Sequence, residues 1–545
     1  MNVATQNLSI PTYDDLLEEL LQLRGEITVL RDDKDHLEEI LRLLRRQRYA
    51  PASEITPSGQ GTLFDEAETL AAEDVEPVAD TPPEASPDEP KSPKPRGKPV
   101  RKALPKDLPS ITTVLDIPES ERFCAKSGEP LVKIGEEITE QFDLTPAKLF
   151  VQRTIRPKYL CKCRLCQEVE EAPSTDFKSE AKVKIAALPA QPIPKSYASP
   201  GLLAAIATAK YADALPLYRQ ESILARSGLD ITRQTIAGWM VRCGEIVKPL
   251  INLAKDELIS GPVVLADETR VQVLKGTGKK PTAKSYMWCF MTGSDKQEKV
   301  ILFELGPSRG HDVPLRFLED YEGYLHTDGY EAYETLAAKM PKIRLVGDWV
   351  HVRRKFDEAI KALPKDFKGE IKVKPGLDMI NELFRIERVD IGGGALDSAC
   401  HAVRQEKSRP LIEKLKAWAD ALVPTIRPKS LSAVALRYML LRWAKLTVFL
   451  DDPILGLDTN DVENAIRPFV TGRKNWLFSA SLAGAESSAA LYSLVSMARA
   501  HGLNPFEYLK AVFTEIPRAT TLADVEALLP WRWQPPTEVI QQSPV

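Results

Sequence analysis

A chain of 545 residues exceeds what one hydrophobic core organises, so several structural units are expected. Its 43% hydrophobic and 28% charged residues give the balance of a globular protein. No run approaches the roughly 20 apolar residues that cross a bilayer, so no membrane partner is expected. The opening MNVATQNLSIPTYDDLLEEL lacks the basic start and apolar core of a secretory signal, which points to the cytoplasm. Seven cysteines (Cys124, Cys161, Cys163, Cys166, Cys243, Cys289 and Cys400) form an odd, sparse set, fitting reduced thiols better than a disulfide framework. The net charge of −4 conceals an asymmetry. Residues 51–90 hold eleven acidic side chains and no basic one, so the rest of the chain is net basic and a polyanionic partner is not excluded.

In chain order, residues 1–50 carry the clearest period. Leu16, Leu23, Leu30, Leu37 and Leu44 recur every seventh position, with Leu20, Ile27, Lys34 and Leu41 on the alternate seam. This heptad predicts a coiled coil that joins protomers through residues 13–48, Lys34 setting register or oligomer state. The alternative is a single amphipathic helix packed on its own domain. Residues 51–110 lack periodicity and are rich in Pro, Glu, Asp and Ser, the composition of a disordered linker. Their basic second half, KSPKPRGKPVRKALPK, is either an arm for a DNA backbone or a solvated linker. Residues 111–185 read as a small zinc-finger-like unit. Cys163 and Cys166 have the spacing of a zinc knuckle, with Cys161 beside them and Cys124 upstream. Ser127 stands where a partner knuckle needs its second cysteine, so the unit either binds Zn²⁺ or is a β-fold that has lost it. Residues 186–260 read as a helical DNA-binding region. LPLYRQESILARSGLDITRQTIAGWM predicts two short helices around Gly228, the second starting near Thr232. As a helix-turn-helix this would offer Arg233, Gln234 and Arg242 to DNA; as a plain helix pair it would only pack.

From residue 262 the pattern turns to strands. VVLADETRVQVL, SYMWCFMTG and KVILFELG predict an antiparallel meander, followed by a helix, the strand GYLHTDGY, another helix and the strand KIRLVGDWV. Three strands, helix, strand, helix, strand is the order of a ribonuclease-H-like domain, in which the first and fourth strands are neighbours. Asp267 and Asp328 would then face each other and require a cation or a shared proton. Mg²⁺, with Mn²⁺ as a substitute, suits a few carboxylates plus phosphate oxygens, and two such ions can flank a scissile phosphate. Each acid also has a local explanation: Asp267 as a turn cap, Asp328-Gly329 as a turn dipeptide, and Glu463 with Asn460 as a helix capping box. Arg467, Arg473, Lys474 and Trp476 follow Glu463, an assembly suited to phosphate and an exposed base. Residues 355–450 read as a helical insertion in a catalytic domain of 261–490, leaving 491–545 as a helical tail. At the insertion's entrance lie His351, Arg353 and Arg354. His351 either positions water or phosphate, or is a hydrogen-bonded structural histidine.

Together these segments resemble the large transposase of the insertion-sequence sixty-six family across nearly the whole chain. The resemblance is carried by the leucine heptads, RPKYLCKCRLC, ADET, TDGY, WVHVRRKF and DVENAIRPFVTGRKNWLFSAS, and by SLVSMARAHGLNPFEYLKAV followed by LLPW. The ENAIRP–GRKNW block is the most specific. The resemblance implies that Asp267, Asp328 and Glu463 are the catalytic acids of a DDE-type transposase. It also implies cleavage at an element's 3′ ends, joining to target DNA, and cooperation with small proteins of the same element near the nucleoid. Ser127 departs from the family's zinc cysteines. The expected fold is multidomain α+β: coiled coil, zinc-finger-like unit, helix-turn-helix region and ribonuclease-H-like domain with helical insertion. A non-transposing nuclease on the same fold, or a dimeric DNA-binding regulator with an inactive catalytic domain, are the rival readings.

Overall fold

A computed structural model describes residues 13–49, 149–160, 183–276, 284–293, 296, 298–364, 366–392 and 397–535. The chain divides into two units, residues 64–152 and the remainder, and the elements below belong to the remainder. The expected linker over 51–110, and Cys124, Cys161, Cys163 and Cys166, lie outside the described residues.

Helix α1 (Tyr13–Tyr49) is continuous. Its leucine seam is exposed, Leu30 at 66% and Leu37 at 64%. Asp35 and Glu39 in its second half pair with Arg427 at 2.6 and 2.8 Å, and Asp33 pairs with Lys429. Strands β1 (Lys158–Leu160) and β2 (Val183–Ile185) pair antiparallel. Helices α2 (Pro200–Tyr211), α3 (Leu217–Arg226), α4 (Arg233–Ile246) and α5 (Lys248–Ile259) come next. Gly228, at φ +88°, turns the chain between α3 and α4, and the Thr232 hydroxyl accepts the Thr235 N–H to start α4.

The core is a mixed sheet of β3 (Val263–Lys275), β4 (Lys284–Thr292), β5 (Ile301–Gly306), β6 (Gly323–Thr327) and β7 (Ile343–Gly347), in the order β5-β4-β3-β6-β7. Strands β3, β4 and β5 are antiparallel neighbours, whereas β3, β6 and β7 run parallel. The parallel crossovers are α6 (Asp312–Phe317) and α7 (Glu331–Lys339). Strand β4 is buried on both faces from Tyr286 onward, as a strand covered above and below must be. On one face Phe290 stacks on Phe317 at 4.0 Å, and Trp288 meets Tyr333 edge-on. On the other, Phe303 meets Phe469 and Tyr492.

KIRLVGDWV, predicted as one strand, stops at Gly347. The Asp348 carboxylate accepts the backbone N–H groups of Val350 and His351 and starts α8 (Trp349–Lys361) instead. The helical stretch therefore begins six residues before position 355. It continues through α9 (Lys374–Arg385), α10 (Ser398–Val403), α11 (Arg409–Leu422), α12 (Leu431–Leu441) and α13 (Trp443–Leu446). A fully buried Arg404 centres this region; it pairs with Glu387 at 2.8 Å and donates to the Phe449 carbonyl, so its charge is satisfied. Helix α14 (Asn460–Trp476) then returns to the sheet. Strand β8 (Ser479–Ser481) pairs with the far end of β3, and α15 (Leu482–Ala500), α16 (Pro505–Glu515) and α17 (Leu522–Glu526) complete the described chain. Helix α15 runs unbroken through position 491 and packs on β5. The expected boundary at 490 thus falls inside a helix whose buried face, including Leu491 and Leu494, belongs to the sheet's core.

Candidate active site

The sheet sets the geometry of two acids through its backbone. In the β3–β6 ladder Leu265 lies opposite His326, so two residues further on Asp267 lies opposite Asp328, just past the end of β6. This is where an antiparallel and a parallel neighbour meet on β3, a place where strand ends open a crevice. The turn after Asp328 is held in three ways. Tyr330 N–H donates to the Asp328 carboxylate at 2.9 Å, Tyr438 Oη to the Asp328 carbonyl at 2.8 Å, and Arg442 Nη2 to the Gly329 carbonyl at 2.9 Å. Gly329 has φ +82°, and a Cβ there would come within 2.5 Å of Arg442 Nε, so both the dihedral and the space require glycine.

Asp267 is pushed up to about 8, first by burial and then by the charges of Glu268 and Asp328. Neighbouring cations are committed elsewhere: Arg309 pairs with Glu268 at 2.6 Å and lies over the Tyr330 ring. Adjacent residues of a strand point to opposite faces. Glu268 accordingly turns from Asp267 to the other side, where Tyr333 Oη also donates to it at 2.8 Å. Burial, followed by Asp328, raises Glu268 too.

Glu463 lies in the first turn of α14. The expected Asn460–Glu463 capping box does not form, because Asn460 is already the first helical residue and its N–H is taken by Asp458. The Glu463 carboxylate instead lies 3.7 Å from His351 Nε2, whose Nδ1 is 3.2 Å from Asp348. Burial raises Glu463, with Asp348 and Asp328 adding to the rise and His351 opposing it. Glu463 is the smallest named contribution to the elevation of Asp267, and the group with ligand atoms within 4.8 Å of one another is Asp348, His351 and Glu463. Burial would raise Asp348, but hydrogen bonds from His351 and Thr459 hold it well below the usual carboxylate range. His351 is raised by the same partner despite burial.

Carboxylates from two strand ends and a helix, with a shared surplus of negative charge, fit a divalent cation of the Mg²⁺ class. Asp348, Thr459, Arg309, Tyr438 and Arg442 were not singled out as site residues by sequence. Asp348 alone carries a local signal, that of a helix N-cap.

The other sequence candidates occupy varied places. Arg233 and Gln234 are exposed at the start of α4, and Arg354 and Lys474 are exposed on α8 and α14. Arg353 donates to Asn381 at 2.7 Å, and Arg467 is half-buried on α14. Arg473 donates to Thr269 at 3.1 Å and to the Arg270 carbonyl, bracing α14 on β3. Trp476 is half-buried against Phe469, with Lys210 over its ring. Arg473 and Trp476 thus have partners within the protein and remain partly exposed. No helix among the described residues is long and apolar enough to cross a membrane.

A mixed sheet with Asp267 on β3 and Asp328 just past the end of β6, and Glu463 on a later helix, is the candidate site. The chain belongs to the IS66 transposase family: the family model "Transposase IS66 family" matches residues 195–487, a span that contains all three acids. The "IS66 C-terminal element" matches 493–531, the "zinc-finger binding domain of transposase IS66" matches 121–164, and "Transposase C of IS166 homeodomain" matches 36–112. Two proteins of Sinorhizobium fredii (strain NBRC 101917 / NGR234) are similar. "Uncharacterized protein y4qI" is 32% identical over 92% of this chain and 89% of its own length. "Uncharacterized protein y4jD" is 34% identical over 79% of this chain and 81% of its own length. No solved structure matches the chain.

Proposed function

We propose that the protein is a DDE-type transposase that cleaves the 3′ ends of an insertion element and joins them to target DNA. The sheet order and its two parallel crossovers support a ribonuclease-H-like catalytic domain. What supports the reading is the β3–β6 register, which extended by two residues sets Asp267 against Asp328, and the family match whose span contains both and Glu463. These three acids would hold Mg²⁺ or Mn²⁺. Bound there, divalent cations supply charge stabilisation at the phosphate and a lower pKa for the attacking water or 3′-hydroxyl. The chain's own part is to place the acids, to keep the site shielded enough that their charges matter, and to orient Glu463 through His351.

Arg233, Gln234, Arg354, Arg467 and Lys474 are the residues we assign to DNA contacts. The exposed leucine seam of α1 would pair with a second copy, so that two sites act on two DNA ends. Cys124, Cys161 and Cys163, within the zinc-finger match, and Cys166, just beyond it, would hold Zn²⁺. Accessory proteins of the same element are expected partners, and the nucleoid the expected location.

Incubation with DNA bearing the element's own ends and Mg²⁺ tests this reading. Wild type should nick the 3′ ends and join precleaved ends to target DNA, and Asp267→Asn, Asp328→Asn and Glu463→Gln should do neither while still binding end DNA. Cleavage without joined product would instead support a nuclease, and DNA binding with no cleavage by wild type a regulator.

A further inference from the structure

Glu463 reaches the acids only after the helical excursion from Trp349 to Asp458, and residues 348 and 459 bracket that excursion. The Asp348 side chain, 3% exposed, closes its mouth. Oδ1 accepts the N–H groups of Val350 and His351 at 2.6 and 3.1 Å, tying down the outgoing helix. Oδ2 accepts the N–H and hydroxyl of Thr459 at 3.1 and 2.5 Å, tying down the returning one, and lies 3.2 Å from His351 Nδ1. The backbone adds one rung, from Trp349 N–H to the Leu457 carbonyl at 2.9 Å. From Thr459 the geometry passes directly to Glu463, whose N–H donates to the Thr459 carbonyl at 3.1 Å. A second route runs through His351, with Nε2 3.7 Å from Glu463.

Asp348, His351 and Glu463 present ligand atoms within 4.8 Å of one another, which invites a reading of Asp348 as a metal ligand. The donor count argues against it. Two carboxylate oxygens offer about four lone-pair directions, and four hydrogen bonds, from Val350, His351 and the N–H and hydroxyl of Thr459, already fill them. We infer that Asp348 is a positioning residue: it clamps both ends of the excursion and, through Thr459 and His351, fixes the position of Glu463. The inference rests on the metal-dependent reading of those three acids. A long loop costs little more to close than a shorter one, so pinning its mouth is an effective way to fix the helix that leaves it.

The test uses full-length protein and Mn²⁺ as probe, with binding read by electron paramagnetic resonance. In Asp348→Asn the amide nitrogen that replaces Oδ2 cannot accept from Thr459 or His351. Mn²⁺ affinity should fall about 10–100-fold, the scale of lost orienting bonds around metal sites. Thr459→Val removes only the hydroxyl bond and should weaken Mn²⁺ severalfold. Ser430→Ala, which removes the cap of α12 elsewhere in the excursion, should leave Mn²⁺ affinity unchanged. Wild-type affinity in both clamp variants overturns the inference, as does an equal loss in Ser430→Ala. If Asp348→Asn does not fold, Thr459→Val decides alone. Amide exchange in metal-free protein separates the two readings. Faster exchange over residues 459–466 in Asp348→Asn, with a wild type that binds no Mn²⁺, keeps the clamp and removes the metal reading. Unchanged exchange there overturns the clamp.

Discussion

The sheet and the returning helix hold their acids by different means. Asp267 is placed by a backbone ladder, in which a shift of one residue would turn every side chain of the strand to the wrong face, and Asp328 follows directly on that ladder in a turn held by Tyr438 and Arg442. Glu463 is placed by polar side chains, Asp348, Thr459 and His351, at the end of a long excursion. The sheet pair should therefore tolerate isosteric change without moving, and such variants report on chemistry alone. The helix acid depends on its neighbours, so changes several residues away should act on the same chemistry through geometry.

The largest expected effect tests the sheet side. Asp267→Asn or Asp328→Asn should lower end cleavage at least ~10³-fold, the several kcal/mol of transition-state charge stabilisation that a lost cation represents. The fold should survive, and for Asp267 the pKa fixes the direction of the stability change. Its folded pKa lies above its ordinary value, so its contribution to stability is complete below the ordinary carboxylate range and is lost as pH rises to about 8. Metal-free Asp267→Asn should consequently melt at a higher temperature than wild type at pH 8. A lower melting temperature would mean that Asp267 has a stabilising partner and would blur the distinction between the regions.

The same elevation makes cation binding compete with a proton. Mn²⁺ affinity should rise from pH 6 to pH 8, by up to about tenfold per unit, and level off above. A flat profile by calorimetry would remove Asp267 from the ligand set. A smaller effect is expected at Gly329, where the insertion meets the sheet. Gly329→Ala imposes a positive φ on a residue with a Cβ and pushes it into Arg442. It should cost about 1–3 kcal/mol in denaturant unfolding, the range for strained backbone positions. An unchanged midpoint would show that the turn relaxes freely. The smallest effect belongs to the docking of α1. Arg427→Ala removes two ion pairs of a partly exposed side chain and should change stability by less than about 1 kcal/mol. A larger loss would make α1 part of the core rather than an appended arm.

The same division separates the features legible in the sequence from those that were not. Strand periodicity located β3 to β6 to within a few residues, and the ADET and TDGY segments pointed to Asp267 and Asp328. Their facing was read from the order of strands and helices, and the β3–β6 register is a property of the folded ladder. Asp267 was chosen from the element order and by the family resemblance; that Glu268 turns to the other face, toward Arg309 and Tyr333, is a property of the folded sheet. Glu463 was legible through the specific VENAIRP block, yet its local pattern suggested a capping box that does not form. Asp348 was read as part of a strand, because β-branched and aromatic neighbours outweighed its capping signature. Its role depends on Thr459, more than a hundred positions away, and no local pattern encodes that meeting. Arg473 and Trp476 were read by chemical type as a DNA surface; both also have partners within the protein, Thr269 and Phe469, which no local pattern encodes.

The most direct measurement is an anomalous difference map from crystals soaked in Mn²⁺. The expected result is a peak within coordination distance of both Asp267 and Asp328, with Glu463 turned toward the same site. Mn²⁺ bound elsewhere, or none at a concentration that supports cleavage, would contradict the account.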